Sequence, residues 1–119
     1  MTYQAEVKRS LLGVSQATID GPGVVSRECA AEMAAGARRL FGADVGVALT
    51  GAAGPEPHDG AEPGTVWVGL DADGRTHQRR ITAPGERSTV VRWAEQAALD
   101  LVRRHLSGYE LPEFERLIR

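Results

Sequence analysis

The sequence predicts an α/β fold in one domain, and three observations carry that reading. A segment from Ser26 to Gly42 repeats apolar residues at helical spacing. A short apolar run, Val45 to Leu49, is followed by two strand-like segments around an Asp73-Gly74 turn. A second, longer helical pattern then begins near Arg87. Helices alternating with strands call for layers packed on a sheet. The chain has 119 residues, 42% hydrophobic and 25% charged, which suits one core.

Residues 2–8 read as a short strand or strand end. Leu11-Leu12-Gly13-Val14 leads to Ser15, an N-cap for a short helix through Asp20, which Gly21-Pro22-Gly23 ends. Ser26 caps the next helix, with Glu28 at its positive end and Arg38 and Arg39 in its last turn. Cys29, Ala30, Met33, Ala34, Ala37, Leu40 and Phe41 form its apolar face, and Met33 and Phe41 are expected in the core. Gly42 is the stop. Val45–Leu49 reads as a buried strand running into Thr50-Gly51-Ala52-Ala53-Gly54-Pro55. A loop of proline, glycine and acids extends to Gly64. Thr65–Leu70 and Thr76–Thr82 are hairpin partners, the second polar enough for a sheet edge. Val90, Val91, Ala94, Ala97, Ala98, Leu101, Val102 and Leu106 make the stripe of the last long helix, closed by Ser107-Gly108. The expected division is a domain over 1–106 and a tail over 107–119, the tail a short amphipathic helix with Phe114, Leu117 and Ile118.

Composition narrows the function. Net charge is −2 and no basic face dominates, so a nucleic-acid partner has little electrostatic support. Cys29 is the single cysteine, so no internal disulfide forms and no Cys/His cluster has zinc spacing. His58, His77 and His105 fall on different elements, so no metal and no cofactor is expected. Apolar runs are shorter than a bilayer span and no signal-peptide pattern opens the chain, so the expected location is cytoplasmic, without a membrane partner.

The basic residues are uneven. Of 14 lysines and arginines only Lys8 is lysine, and the chain has no asparagine. A desolvated lysine loses its proton near neutral pH and an arginine does not, which makes Lys8 a catalytic candidate; a solvated surface lysine is the alternative. Tyr3 lies an odd number of residues away, on the opposite face of a regular strand. Ser10 could share the face of Lys8. The Thr50–Pro55 loop follows a strand's carboxyl end, where glycines bring backbone N–H groups to an anion and Thr50 adds a hydroxyl. It lacks the lysine of a P-loop, and a plain tight connection reads equally well. Arg87 and Arg92 with Arg79 and Arg80 could meet a phosphate, or be solvated charges.

Several segments in order resemble the CinA C-terminal domain family, of nicotinamide mononucleotide deamidase type. Tyr3-Gln4-Ala5-Glu6-Val7-Lys8 with Leu11-Leu12-Gly13-Val14 is similar to Y-S-N-E-x-K and L-L-G-V. Gly23-Val24-Val25-Ser26 and Glu32-Met33-Ala34 resemble G-A-V-S and E-M-A. Thr50 to Pro55 matches T-G-x-A-G-P, and Pro63-Gly64-Thr65-Val66 resembles P-V-G-T-V. The resemblance runs to about Leu106. It implies a three-layer α/β/α domain with a mixed sheet, and hydrolysis of nicotinamide mononucleotide to nicotinate mononucleotide and ammonia in pyridine nucleotide metabolism. It implies Tyr3 and Lys8 as catalytic residues and the loop of Thr50, Gly51, Ala52 and Gly54 as a holder of the nucleotide, to which the charge of Arg87 adds a further expected substrate-binding residue.

The chain departs from the pattern in three places. The family's site serine lies in an E-S-x-T-G-G segment, and no Glu-Ser pair occurs here. Ala5 stands where the tyrosine–lysine motif has asparagine. Glu56-Pro57-His58-Asp59-Gly60 puts acids in the glycine-rich stretch, where they disfavour an anion. The expectation is a domain missing the family's first strand and helix, with weakened activity and an open edge that makes it a homo-oligomer. The alternative is a non-catalytic nucleotide-binding or assembly module.

Overall fold

The computed structural model describes residues 12–52, 62, 64–83 and 86–111, and 114–116 as backbone. Helix α1 is Gln16–Asp20, helix α2 is Arg27–Phe41, and strands β1, β2 and β3 are Val45–Ala52, Thr65–Ala72 and Arg75–Thr82. Helix α3 is Arg87–Ser107, and strand β4 is Phe114–Arg116. The sheet order is β1-β2-β3-β4. The first three strands are antiparallel and β4 is parallel to β3, so the sheet is mixed.

Local chemistry sets the helix ends. Ser15 Oγ accepts from Thr18 N–H at 3.1 Å, and Ser26 Oγ accepts from Cys29 N–H at 3.1 Å, so both expected N-caps form. Ser26 Oγ also donates to the Gly23 carbonyl at 2.7 Å, folding the preceding turn back on the cap. Gly42 stops α2 in the left-handed region at φ 60°. At the hairpin, Asp73 and Gly74 have φ of 55° and 75°, the two positive values that a two-residue turn between right-twisting strands needs.

Period-two alternation sorts side chains onto two faces. Val66, Val68, Leu70 and Ala72 of β2, with Ile81 of β3, pack against Val90, Ala94, Ala97, Ala98 and Leu101 of α3. On the other face, Trp67 and Ala48 join Val14, Val24, Val25, Cys29 and Met33, beneath α2. The result is three layers, α/β/α. Close approach of α2 requires glycine in the strands. A Cβ on Gly69 would lie 2.2 Å from the Ala30 carbonyl, and one on Gly46 would lie 2.3 Å from that of Ala34. Small residues face small residues here, and the helix backbone rests almost on the sheet.

Three expectations change. Leu40 and Phe41 are 54% and 78% exposed rather than in the core. Buried residues of α2 run only from Cys29 to Gly36, and in its last turn it is Arg38, paired with Asp71 of β2, that faces the sheet. Leu106, at the end of α3, is exposed as well, since buried positions on that helix end at Leu101. Residues 114–116 form a strand, not part of a helix, and pair with Arg80, Ile81 and Thr82. Pro112 breaks a helical ladder, whereas β3 offers its outer backbone groups to any extended segment. The expected edge, β3, is therefore flanked over those three residues, and among the described residues β1 and the three-residue β4 are the edge strands.

Candidate functional site at the carboxyl ends of two strands

Register brings one rim of the sheet together. Ala52, Thr65 and Thr82 are aligned, so β1 and β3 finish where β2 begins. Backbone bonds brace this rim. Gly64 N–H donates to the Ala52 carbonyl at 2.6 Å, and Ala83 N–H donates to the Gly64 carbonyl at 2.9 Å. Gly64 has φ 90°, and a Cβ there would lie 2.3 Å from the Ala83 carbonyl. Only glycine fits this position, which gives the P-G-T-V segment a geometric reason.

The T-G-A segment belongs to the strand rather than to the loop the sequence suggests. Thr50, Gly51 and Ala52 all pair with β2, opposite Trp67, Val66 and Thr65. Antiparallel pairing with β2 extends the ladder past the apolar run. Thr50 is buried, and its Oγ1 donates to the Val24 carbonyl. Its hydroxyl proton is thus spent on clamping the turn before α2 to β1. Gly51 is exposed and Ala52 is buried. Arg87 is the first residue of α3 and is exposed. It follows β3 by five residues, so it reaches the rim from the opposite layer. Tyr3, Lys8, Ser10, Gly54 and the Glu56–Asp59 stretch lie outside the described residues.

The four arginines do not act as a group. Arg79 and Arg80 are neighbours on one strand and point to opposite faces. Arg79 is buried, and its Nη1 donates to the Ala97 carbonyl and to Asp100 Oδ2, each at 3.1 Å. Arg80 is exposed on the α2 face, with its guanidinium 5.8 Å from the Trp67 ring centre. Arg92 is exposed in the second turn of α3. Sequence reasoning missed Arg27 and Trp67. Arg27 opens α2, and its guanidinium lies 5.2 Å from the same ring. Thr50, Trp67 and Arg80 form one cross-strand row, which only the pairing register reveals.

The electrostatics suit an anion. Arg27, Arg80 and Arg87 stand toward this rim, with the positive ends of α2 and α3. Glu28 and Glu86, beside two of these arginines, partly offset them. Elsewhere, the Asp100 carboxyl is held low by its neighbours. Burial raises its carboxyl, but hydrogen bonds from Arg103 and Arg104 and the charges of Arg104 and Arg79 outweigh this and hold it below the ordinary value of 3.8. Among the described residues, no group of three His, Cys, Asp or Glu side chains is placed to hold a metal ion, and no helix is long and apolar enough to cross a membrane.

Comparison with known proteins gives one consistent result. The family model described as CinA C-terminal domain matches residues 1–106. A CinA-like protein of Frankia casuarinae is 44% identical over 115 residues, 97% of this chain and 26% of that protein. The competence damage-inducible protein A (ComA) of Klebsiella pneumoniae superposes with a TM-score of 0.85 at 36% identity, over 92% of this chain and 68% of that one. A competence-damaged protein (CinA) superfamily protein of Escherichia coli gives 0.83 at 35% identity, over 87% and 61%. The chain spans about a quarter of the length of the curated relatives it matches.

Proposed function

Because the chain belongs to the CinA C-terminal domain family, we propose that it carries part of an amidohydrolase-type site that takes nicotinamide mononucleotide and yields nicotinate mononucleotide and ammonia. The observation that supports this most is the rim itself. The T-G-A end of β1 meets the starts of α2 and α3, a cationic place for a nucleotide phosphate. In this reading Arg87 pairs with the phosphate, and Gly51, Ala52 and Gly54 let the backbone approach it. Lys8, unprotonated, draws a proton from a serine or a water, whose oxygen adds to the carboxamide carbon. Tyr3 orients the amide and passes a proton to the nitrogen. The C–N bond breaks and ammonia leaves.

None of residues 1–119 matches the E-S-x-T-G-G serine. The chain alone therefore binds the nucleotide and turns it over slowly, because members of a catalytic unit are not additive. Calorimetry with nicotinamide mononucleotide, beside an ammonia assay, tests this. Binding that Arg87→Gln weakens supports the reading, and no binding contradicts it. The second reading, a non-catalytic nucleotide-binding module, draws on Glu56 and Asp59 in the loop and on the missing Glu-Ser pair. A chain that includes an E-S-x-T-G-G segment and still releases no ammonia supports that alternative. We place the domain in the cytoplasm and, from the exposed Leu40 and Phe41 at the end of α2 and Val47 on edge strand β1, in a homo-oligomer.

A further inference from the structure

The opposite end of the sheet holds a second feature, and nothing in the reading above uses it. A groove of about 460 Å³ opens between the β2–β3 hairpin and the last turns of α3. At roughly 30 Å³ per water it has room for about fifteen waters, far more than a lone inorganic ion fills. Its floor is apolar, from Leu70, Ala72 and Leu111. Its walls are Arg75, His77 and His105. Sequence spacing gives no hint that these last two meet, because one is on β3 and the other is on α3.

Charge decides what the groove accepts. Arg75 and His77 project toward α3, because their register partners Ala72 and Leu70 do. Arg75 is exposed and makes no ion pair among the described residues. Asp73 sits at the rim with its side chain 84% exposed, 3.6 Å from His105 Nε2. Just behind, Asp100 serves Arg79, Arg103 and Arg104. Of the groups that line the groove, the Arg75 guanidinium and the Asp73 carboxylate are the charged ones before either histidine takes a proton, and the three arginines behind are already served by Asp100. The negative end of α3 is muted, since Gly108 and Tyr109 N–H groups cap the carbonyls of His105 and Arg104.

We propose that this groove binds a small molecule carrying one carboxylate on a compact apolar body. The body covers Leu70, Ala72 and Leu111, and the carboxylate pairs with the Arg75 guanidinium, with His105 as a second donor. The site is independent of the nucleotide rim, since Ala72 and Arg75 lie at the far end of strands whose other ends are Thr65 and Thr82.

Benzoate is the probe, and benzyl alcohol is its neutral counterpart of similar shape. Amide chemical shifts of the ¹⁵N-labelled chain would be followed while each is titrated. Saturable changes at residues 70–77 and 105–111 with benzoate are expected, with benzyl alcohol weaker by roughly tenfold, the loss of a charge-assisted pair. Arg75→Gln should weaken benzoate to a similar degree and His105→Gln by less, both in folded chains because both side chains reach solvent. No shift changes in the groove, equal responses to both probes, or benzoate binding unaltered by Arg75→Gln would each overturn the proposal.

Discussion

Asp100→Asn removes one charge and leaves the shape of the side chain intact. Asp100 accepts from Arg79 Nη1 at 3.1 Å, and from Arg103 Nη2 and Arg104 Nε, each at 2.9 Å. These three bonds are not equal. The Arg103 and Arg104 side chains are 56% and 38% exposed, so water screens them and each pair contributes at most about 0.5 kcal/mol. Arg79 is 7% exposed and lies between the sheet and α3. Breaking a buried pair costs roughly 3–5 kcal/mol, because one charge stays behind unneutralised. Asp100 is itself 29% exposed, which lowers the expected cost to about 2–3 kcal/mol. At about 3–6 °C per kcal/mol for a domain of this size, Tm should fall by about 6–18 °C. Thermal unfolding followed by circular dichroism at pH 7 measures this, with Arg103→Ala beside it as the exposed control. The pH dependence has a definite sign. A carboxyl held below its unfolded value adds stability that is complete above about pH 4 and is lost as pH falls through the folded value. The two chains should therefore converge in acid. Equal, small shifts for Asp100→Asn and Arg103→Ala at pH 7 would refute the claim that buried Arg79 depends on Asp100.

Gly69→Val should abolish cooperative unfolding, since its Cβ would lie 2.2 Å from the Ala30 carbonyl; a Tm within a few degrees of the parent would contradict the helix–sheet contact. Thr50→Val keeps the β-branched shape and removes the bond to Val24. It should cost about 1–3 kcal/mol in urea unfolding, and unchanged stability with weaker nucleotide binding would instead assign the hydroxyl to the ligand. Sedimentation should show association rising with concentration, driven by the exposed Val47 on edge strand β1 and Phe41 at the end of α2. A folded monomer at all concentrations would remove the oligomer from the account.

Where local chemistry decides, the sequence was readable. Ser15 and Ser26 cap helices as their positions suggest, and Asp73-Gly74 turns the hairpin. The buried stripe from Val90 to Leu101 follows from helical period alone. Where a long-range neighbour decides, it was not. Phe41 reads as part of the same apolar face as Met33, yet Met33 is buried in the core and Phe41 is exposed. Thr50 sits beside glycine as loop residues do, but β2 supplies partners that keep it in the ladder. Arg79 and Arg80 look like one basic pair until the strand sends them to opposite faces. Phe114 to Arg116 carry no strand signal of their own and become a strand because β3 has backbone groups to satisfy.

The proposed activity is hydrolysis of a nicotinamide nucleotide's carboxamide, with Lys8 proposed as base. Ammonia release from nicotinamide mononucleotide tests it most directly, in the 119-residue chain and in one that includes an E-S-x-T-G-G segment, each with and without Lys8→Ala. The account predicts slow release from the first and clear turnover from the second, which Lys8→Ala lowers by at least ~100-fold. Clear turnover by the 119-residue chain, or activity untouched by Lys8→Ala, would contradict it.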